Sequence, residues 1–441
     1  MRKSSRYAAY LPFVLVAVIG LVYHVGMKPM AGDDIFFRDA TKDTTLWVYL
    51  TQRYLTWTSR VVSECVLVNV IQCPVLWRII DFLLFATLPL LLSGLFGGGK
   101  TMNWCAAAAV LIFPFHDMGT AGWITTTVTH FWPFWGFFYV AWVIRKLALA
   151  EKIHPAVAVF AVPVAVVTGS HEQYAVIMTL LLVLSGVYLW KTHRKPGNTV
   201  IFGILAVIDV VSLLVIALCP GNAGRNAVSI ADLPIYATFG FGQKLYLGLL
   251  SIERVFIANA DIVFFLVVLI WTWLVWEKTK NYRRTLFAAF PLLILFGQTV
   301  LRTAYPGLSG LFVMPGEILE WSWSDLSTWI PMVYLAVTVA AMIYALYQLF
   351  GDDLFTFISV LLLVGCGFGA GMVLGFMATI YVSGERVYAP LYGILLAVTL
   401  FGICRQRSVW KEPSAVPSAV FLTALTAVCC AVNVLFIVLS L

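Results

Sequence analysis

The chain has 441 residues, of which 61% are hydrophobic and 11% charged, and its mean hydropathy is +0.94. Its apolar runs of about twenty residues leave no room for a soluble domain of ordinary size. The formal charge of +7 lies mainly in the loops between those runs, so it bears on orientation rather than on nucleic acid, for which no surface is visible.

The first apolar run, 9–27, follows a basic flank but continues into GMKPMAGDD without a small-residue cleavage site, and reads as a retained anchor helix. Further spans are expected near 76–96, 103–115, 130–147, 155–169, 174–190, 199–219, 259–276, 286–301, 329–349, 355–378, 387–404 and 417–440. The expected fold is therefore an all-α polytopic membrane protein with about thirteen helices, in a range of roughly eleven to fourteen, forming a single membrane domain over 1–441. The runs 103–115, 155–169 and 286–301 are short for a core of about 30 Å, which predicts tilted, broken or re-entrant elements.

With the N-terminus in the cytoplasm, the basic segments RKLALAEK, KTHRK, EKTKNYRR and RQRSVWK fall on the same side as Arg2, Lys3 and Arg6. Asp33, Asp34, Glu64, Asp117, Glu172, Glu317 and Glu385 fall on the other. The long loops 28–75, 220–258 and 302–328 are then external. Within the first, Leu46, Tyr49, Leu50, Tyr54, Trp57 and Val61 recur at helical spacing, which predicts amphipathic helix lying at the interface. Six cysteines lie in or near spans as small hydrophobes; Cys65 and Cys73, in the first loop, could form a disulfide if that loop faces an oxidising compartment.

The residues able to carry chemistry gather on the external side. Asp33 and Asp34 sit just past the first helix, where paired acids suit one of them to accept a proton, or where they form a solvated acidic turn. Arg53, Arg60 and Glu64 share a helical face; the arginine forks suit phosphate oxygens or anchor the interface. In FPFHDMGTAGWITTTVTHFWPFWGFF, residues 113–138, His116, Asp117, His130, Trp132 and Trp135 offer hydroxyl ligands and sugar-stacking faces, against an aromatic belt as the structural alternative. The hairpin TGSHEQYA carries Glu172 and a Ser170/Gln173 capping box. CPGNAGRNA and SGERVYAP present Arg225, Glu385 and Arg386 as lipid-phosphate ligands or helix-end anchors. Inside the spans, Arg78 and Asp81 read as an i,i+3 ion pair, and Asp209 as a polar helix contact or a lone functional acid. Nucleotide-binding glycine loops, H-E-x-x-H and paired C-x-x-C are missing, and no set of residues suggests a divalent metal or another cofactor.

Taken in order, GDDIFF, RYLTWTSRVVSE, WITTTVTHFWPFWG, TGSHEQYA and CPGNAGRN resemble the membrane-embedded glycosyltransferases of the GT-C superfamily, in particular bacterial and phage-type O-antigen glucosyltransferases and related families. The likeness covers most of the chain and is clearest over 1–230. It implies a GT-C-like fold in a bacterial inner membrane, with its site on the periplasmic or extracellular face. The implied reaction is transfer of a hexose, such as glucose, from a polyprenyl-phosphate-linked donor to an envelope glycan or lipid-linked acceptor. The resemblance further implies Asp33 or Asp34 as base, with Asp33 preferred, and Arg53, Arg60, Arg225 and Arg386 as donor-phosphate ligands. His116, Asp117, His130, Trp132, Glu172 and Glu64 would shape the sugar and acceptor pocket. The implied partners are membrane lipids, an upstream polyprenyl-phosphate glycosyltransferase and a flippase. The competing readings are a transporter or flippase of lipid-linked sugars, with ionisable groups near the midplane, and an assembly partner in envelope biogenesis.

Overall fold

The computed structural model describes residues 8–305, 307, 322–381, 383–406 and 416–441, and these are helical with no strand among them. The described chain divides into two compact units, one built from residues 8–233, 383–390 and 432–441, the other from 234–381, 391–406 and 416–431. Most of the expected external loop 302–328, including Glu317, lies outside the described residues, as does most of the basic segment 405–411.

In the first unit the helices are α1 Leu11–Gly26, α2 Asp33–Asp39, α3 Leu46–Thr56, α4 Val61–Val70, α5 Pro74–Leu95, α6 Lys100–Ile112, α7 Trp132–Ala148, α8 Pro155–Gly169, α9 Glu172–Lys191, α10 Thr199–Ala217 and α11 Gly221–Asp232. Between α6 and α7 come a 3₁₀ turn, Phe115–Gly119, one helical turn, Trp123–Thr126, and a π turn, Thr127–Phe131. The second unit contains α12 Phe241–Glu253, α13 Ile262–Thr279, α14 Tyr282–Ala288, α15 Phe290–Phe296, α16 Leu326–Phe350 and α17 Leu354–Met372. Helices α18, Ala389–Arg405, and α19, Val416–Ser440, contribute residues to both units.

Helix boundaries follow local chemistry. Proline occupies the first turn of α1, α5, α7 and α8, where its missing N–H has no partner to lose. The side chains of Thr45, Asn198, Asp261 and Asp353 accept from first-turn backbone N–H groups of α3, α10, α13 and α17.

Eight described helices are long and apolar enough to cross a membrane, in keeping with a polytopic membrane protein, and the bent pair Tyr282–Ala288 and Phe290–Ala304, at 52°, would make a ninth. The larger expected number includes α1 and α8, which are apolar but have 16 and 15 residues. At about 1.5 Å per residue they fall short of a core of about 30 Å. The amphipathic stretch of the first loop is helical over α3, and a separate helix, α4, follows a break at Trp57–Arg60.

Helix α5 packs on α1, α6 and α7, and a buried polar network fastens it. Asp81 accepts from the Trp132 indole N–H at 2.7 Å and pairs with His24 Nε2 at 2.8 Å, while His24 Nδ1 lies 2.6 Å from the Gly20 carbonyl oxygen. The expected Arg78–Asp81 pair is therefore not formed. Arg78 instead donates to the carbonyl oxygens of His24, Val25 and Met27. The reason lies in α1, whose last carbonyls have no partner further along the helix, so a guanidinium one turn before Asp81 caps them. Asp209 seats a polar helix contact, accepting from the Thr179 hydroxyl at 2.6 Å.

His24 and Asp81 are 1% and 0% exposed, so His24→Leu would strand one side of a buried carboxylate. The expected result is a loss of about 3–5 kcal/mol in detergent-solubilised unfolding, larger than that of the double variant His24→Leu with Asp81→Leu.

Candidate functional site

The two acids of the opening loop have different fates. Asp34 is fully buried, and its Oδ1 accepts from the Thr125 N–H and hydroxyl, both at 2.8 Å. Its Oδ2 accepts from the N–H groups of Met30 at 3.1 Å and Ile124 at 3.4 Å. Ile124 and Thr125 open the helical turn Trp123–Thr126, so Asp34 caps, from a distant part of the sequence, amides that have no partner of their own. Asp33 is exposed, and what it contributes to this joint is its backbone N–H, donated to the Ala121 carbonyl oxygen at 2.9 Å.

Gly122 makes the joint possible. Its φ is +108°, and a Cβ there would lie 2.5 Å from the Ala31 carbonyl oxygen and 2.6 Å from Asp34 Oδ1. One residue before Ala121, the Thr120 hydroxyl accepts from Arg386 Nη1 at 2.7 Å. The turn Glu385–Tyr388 thereby joins the site, with Asp33, Asp117 and Arg60 within electrostatic reach of the Arg386 guanidinium.

A second group of charges centres on the hairpin between α8 and α9. Arg60 Nε donates to Glu172 Oε2 at 2.6 Å, and the Ser59 hydroxyl donates to Oε1 at 2.9 Å. The Ser63 and Ser170 hydroxyls meet at 2.6 Å. Ser170 is not the expected helix cap: its hydroxyl donates to the Val167 carbonyl oxygen at 2.8 Å, and His171 occupies the N-cap without a side-chain bond. The chain turns at Gly169–Ser170, which carries the serine back onto the preceding helix rather than forward over the next.

Both imidazoles nearby are buried, with His171 Nε2 3.3 Å from His130 Nδ1. Burial, with Arg60 and Arg225 close by, holds His171 well below the ordinary histidine range, so its ring is neutral. His130 lies in the π turn, within electrostatic reach of Arg60, Arg386 and Glu172.

Arg225 reaches the same group from α11. Gly221 and Gly224 let this helix lie against the end of α3: a Cβ at Gly221 would fall 2.4 Å from Trp57 N, and one at Gly224 2.5 Å from the Thr56 carbonyl oxygen. Burial, and then the charge of Arg60, push the Arg225 pKa below its ordinary value, with Glu172 opposing them. Its Nε is buried without a hydrogen-bond partner among the described residues. Glu172 thus faces two guanidiniums, Arg60 through a direct bond and Arg225 without one, and the local excess of positive charge suits an anion.

Other expected ligands are committed to the fold. Arg53 donates to both Glu64 oxygens, at 2.7 and 2.6 Å, and its guanidinium lies 5.4–6.0 Å from the ring centroids of Phe36, Phe37, Tyr49 and Trp57. The Tyr49 hydroxyl also donates to Glu64. Trp132 is tied to Asp81. His116 lies 3.2 Å from Asp117 and edge-on to Phe436, and burial lowers its pKa. Cys65 and Cys73 are both free thiols.

The residues brought together are thus Asp33, Asp117, Arg386, Arg60, Glu172, Arg225, His130 and His171, all within the first unit. His171 was not singled out in sequence, although it stands beside Glu172 in the hairpin motif; its pairing with His130, 41 positions away, has no local signal. No group of three or more His, Cys, Asp or Glu able to hold a metal occurs among the described residues. The chain matches no family model, no curated protein and no solved structure.

The unequal roles of the two acids give a stability contrast. Asp34→Ala removes the acceptor for two buried N–H groups, a half-buried one and one hydroxyl, and is expected to cost about 2–4 kcal/mol. Asp33→Ala is expected to stay within about 0.5 kcal/mol of wild type. Thermal unfolding of the two variants in one detergent checks the difference.

Proposed function

We propose that the chain is a glycosyltransferase that moves a hexose from a polyprenyl-phosphate-linked donor to a glycan or lipid-linked acceptor on the non-cytoplasmic face of the membrane. One observation carries this reading: the paired acids are divided, with Asp34 bound into the fold and Asp33 exposed, its carboxylate within electrostatic reach of an arginine. That arginine, Arg386, in turn senses Arg60, which holds Glu172 beside Arg225. A base and an anion-binding set therefore occupy one unit, which is what displacement of a sugar from a phosphate requires.

In this mechanism the donor phosphate binds to the Arg225 and Arg60 guanidiniums, with Arg386 in electrostatic reach of Asp33. Asp33 takes the proton of the acceptor hydroxyl as its oxygen bonds to the anomeric carbon. The bond from that carbon to the phosphate oxygen breaks, its electron pair stays on the polyprenyl phosphate, and the arginines stabilise the charge that develops. Direct attack inverts the anomeric centre. Neutral His171, with His130, offers hydrogen-bonding groups to sugar or acceptor hydroxyls without adding charge.

A transporter would place uncommitted ionisable groups within its spans. In this unit Asp81 and Arg78 are held by hydrogen bonds and Asp209 is held through one of its two oxygens, which favours the transferase reading.

The test is transfer of labelled hexose from a synthetic polyprenyl-phosphate donor to membranes carrying candidate acceptors. Asp33→Asn is expected to lower kcat by about 10²–10⁴-fold with donor binding kept. Arg225→Ala is expected to weaken donor binding about tenfold or more, with Arg225→Lys restoring little because an ammonium lacks the planar fork. Full transfer by Asp33→Asn would remove the base, and with it this mechanism.

A further inference from the structure

Among its described residues the second unit holds buried polar side chains, without hydrogen-bond partners, that the proposed transfer reaction does not use. Helix α12 ends at Glu253, which is 0% exposed and has no hydrogen-bond partner at either carboxyl oxygen among the described residues. Gln298 is also 0% exposed, with neither amide atom partnered, and the buried Thr338 hydroxyl of α16 is unpartnered as well. The first two are tied to irregular backbone: Glu253 immediately precedes the π turn Arg254–Ala258, and Gln298 lies in the π turn Gly297–Leu301. These two π turns pack against each other. Such turns are wide, weakly held interruptions of a helix and recur at functional sites.

The surroundings leave the carboxyl little choice of state. Ile252, Val255, Phe256 and Ile257, next to Glu253 in the chain, are buried and apolar. An ionised carboxylate without a partner in such surroundings is far costlier than a neutral one. The charged and titratable groups in reach are Arg254 and Arg302, which favour the charged form, and Tyr246 and Tyr334. Helix α17, packed on α12, carries Cys366 alone, and the turn Val373–Phe376 carries none. Burial prevails over both arginines and pushes the Glu253 carboxyl up to about 8. Helix α12 lies outside the candidate membrane spans.

We propose that Glu253 is a proton-binding site of the second unit, holding a proton while the two π turns stay packed and releasing it when they part to admit water. The Glu253 carboxyl and the Gln298 amide, each without a partner among the described residues while the turns stay packed, are then both hydrated in the opened form. Proton release at Glu253 is thereby linked to a local rearrangement of the backbone.

The test uses the full-length protein in detergent and dicyclohexylcarbodiimide, which adds to protonated carboxyls in apolar surroundings, with the Glu253 peptide read by mass spectrometry. Labelling is expected at about pH 6.5 and to fall about tenfold or more by about pH 9.5. No labelling at the lower pH, or equal labelling at both, would overturn the proposal. A second readout is the melting temperature against pH. A carboxyl raised in the folded state stabilises fully below its unfolded value and loses that contribution as pH rises through its folded value. Wild type is therefore expected to lose stability between about pH 4.5 and 8, and Glu253→Gln to lose markedly less. Equal slopes in the two proteins would also overturn the assignment.

Discussion

The Asp34 carboxylate is the constraint on which the first unit's site depends. A buried anion is tolerated where several donors surround it, and here the donors belong to two segments some ninety positions apart. Meeting that electrostatic demand fixes where the loop after α1 lies against the turn before α7. The same contact aligns Asp33 N–H with the Ala121 carbonyl oxygen, and so sets the exposed carboxylate beside the stretch that receives Arg386. Gly122 follows from this requirement rather than from local turn preference, since any Cβ would occupy the space of the Ala31 carbonyl and the Asp34 carboxylate.

The remaining charges of the unit are arranged around a distinction between pairs that close and pairs that do not. Arg53 and Glu64 bind each other on both prongs, with aromatic rings around the guanidinium, so this pair is closed within the fold. Arg78 covers helix-end carbonyls, and Asp81 is enclosed by His24 and Trp132. Glu172, by contrast, is one carboxylate set between two arginines, and only Arg60 is bonded to it. Where cations outnumber anions in a half-buried site, a negatively charged ligand supplies the missing hydrogen bonds.

The polytopic class, and most of the helices, were legible because twenty-residue apolar runs and end-capping residues are local signals. The gathering of acids, arginines and histidines along one part of the chain was legible from motif order. Which member of each motif is free was not. Asp33 and Asp34 are adjacent and chemically identical, and what separates them is the backbone of residues 124 and 125. The Arg78–Asp81 spacing permits a pair, yet both side chains face α1, where unpaired carbonyls and His24 compete more effectively. Glu253 falls within an expected external loop, and its burial has no local signal, because α12 packs on α16 and α17, helices distant in sequence.

Arg225 and Glu253 show why an unpartnered buried group has different consequences according to its chemistry. Burial penalises the charged form of both. A guanidinium remains protonated under all ordinary conditions, so its unmet hydrogen-bonding capacity can be answered only from outside, by an anion. A carboxyl has a second route, because taking a proton removes the charge and leaves a neutral group that the apolar surroundings tolerate. On the proposed readings, the same physical penalty makes the arginine of the first unit a ligand-binding group and the glutamate of the second a proton-binding one. Neither role can be read from residue type alone, since Arg53 and Asp34, of the same charge types, are bound to partners within the fold.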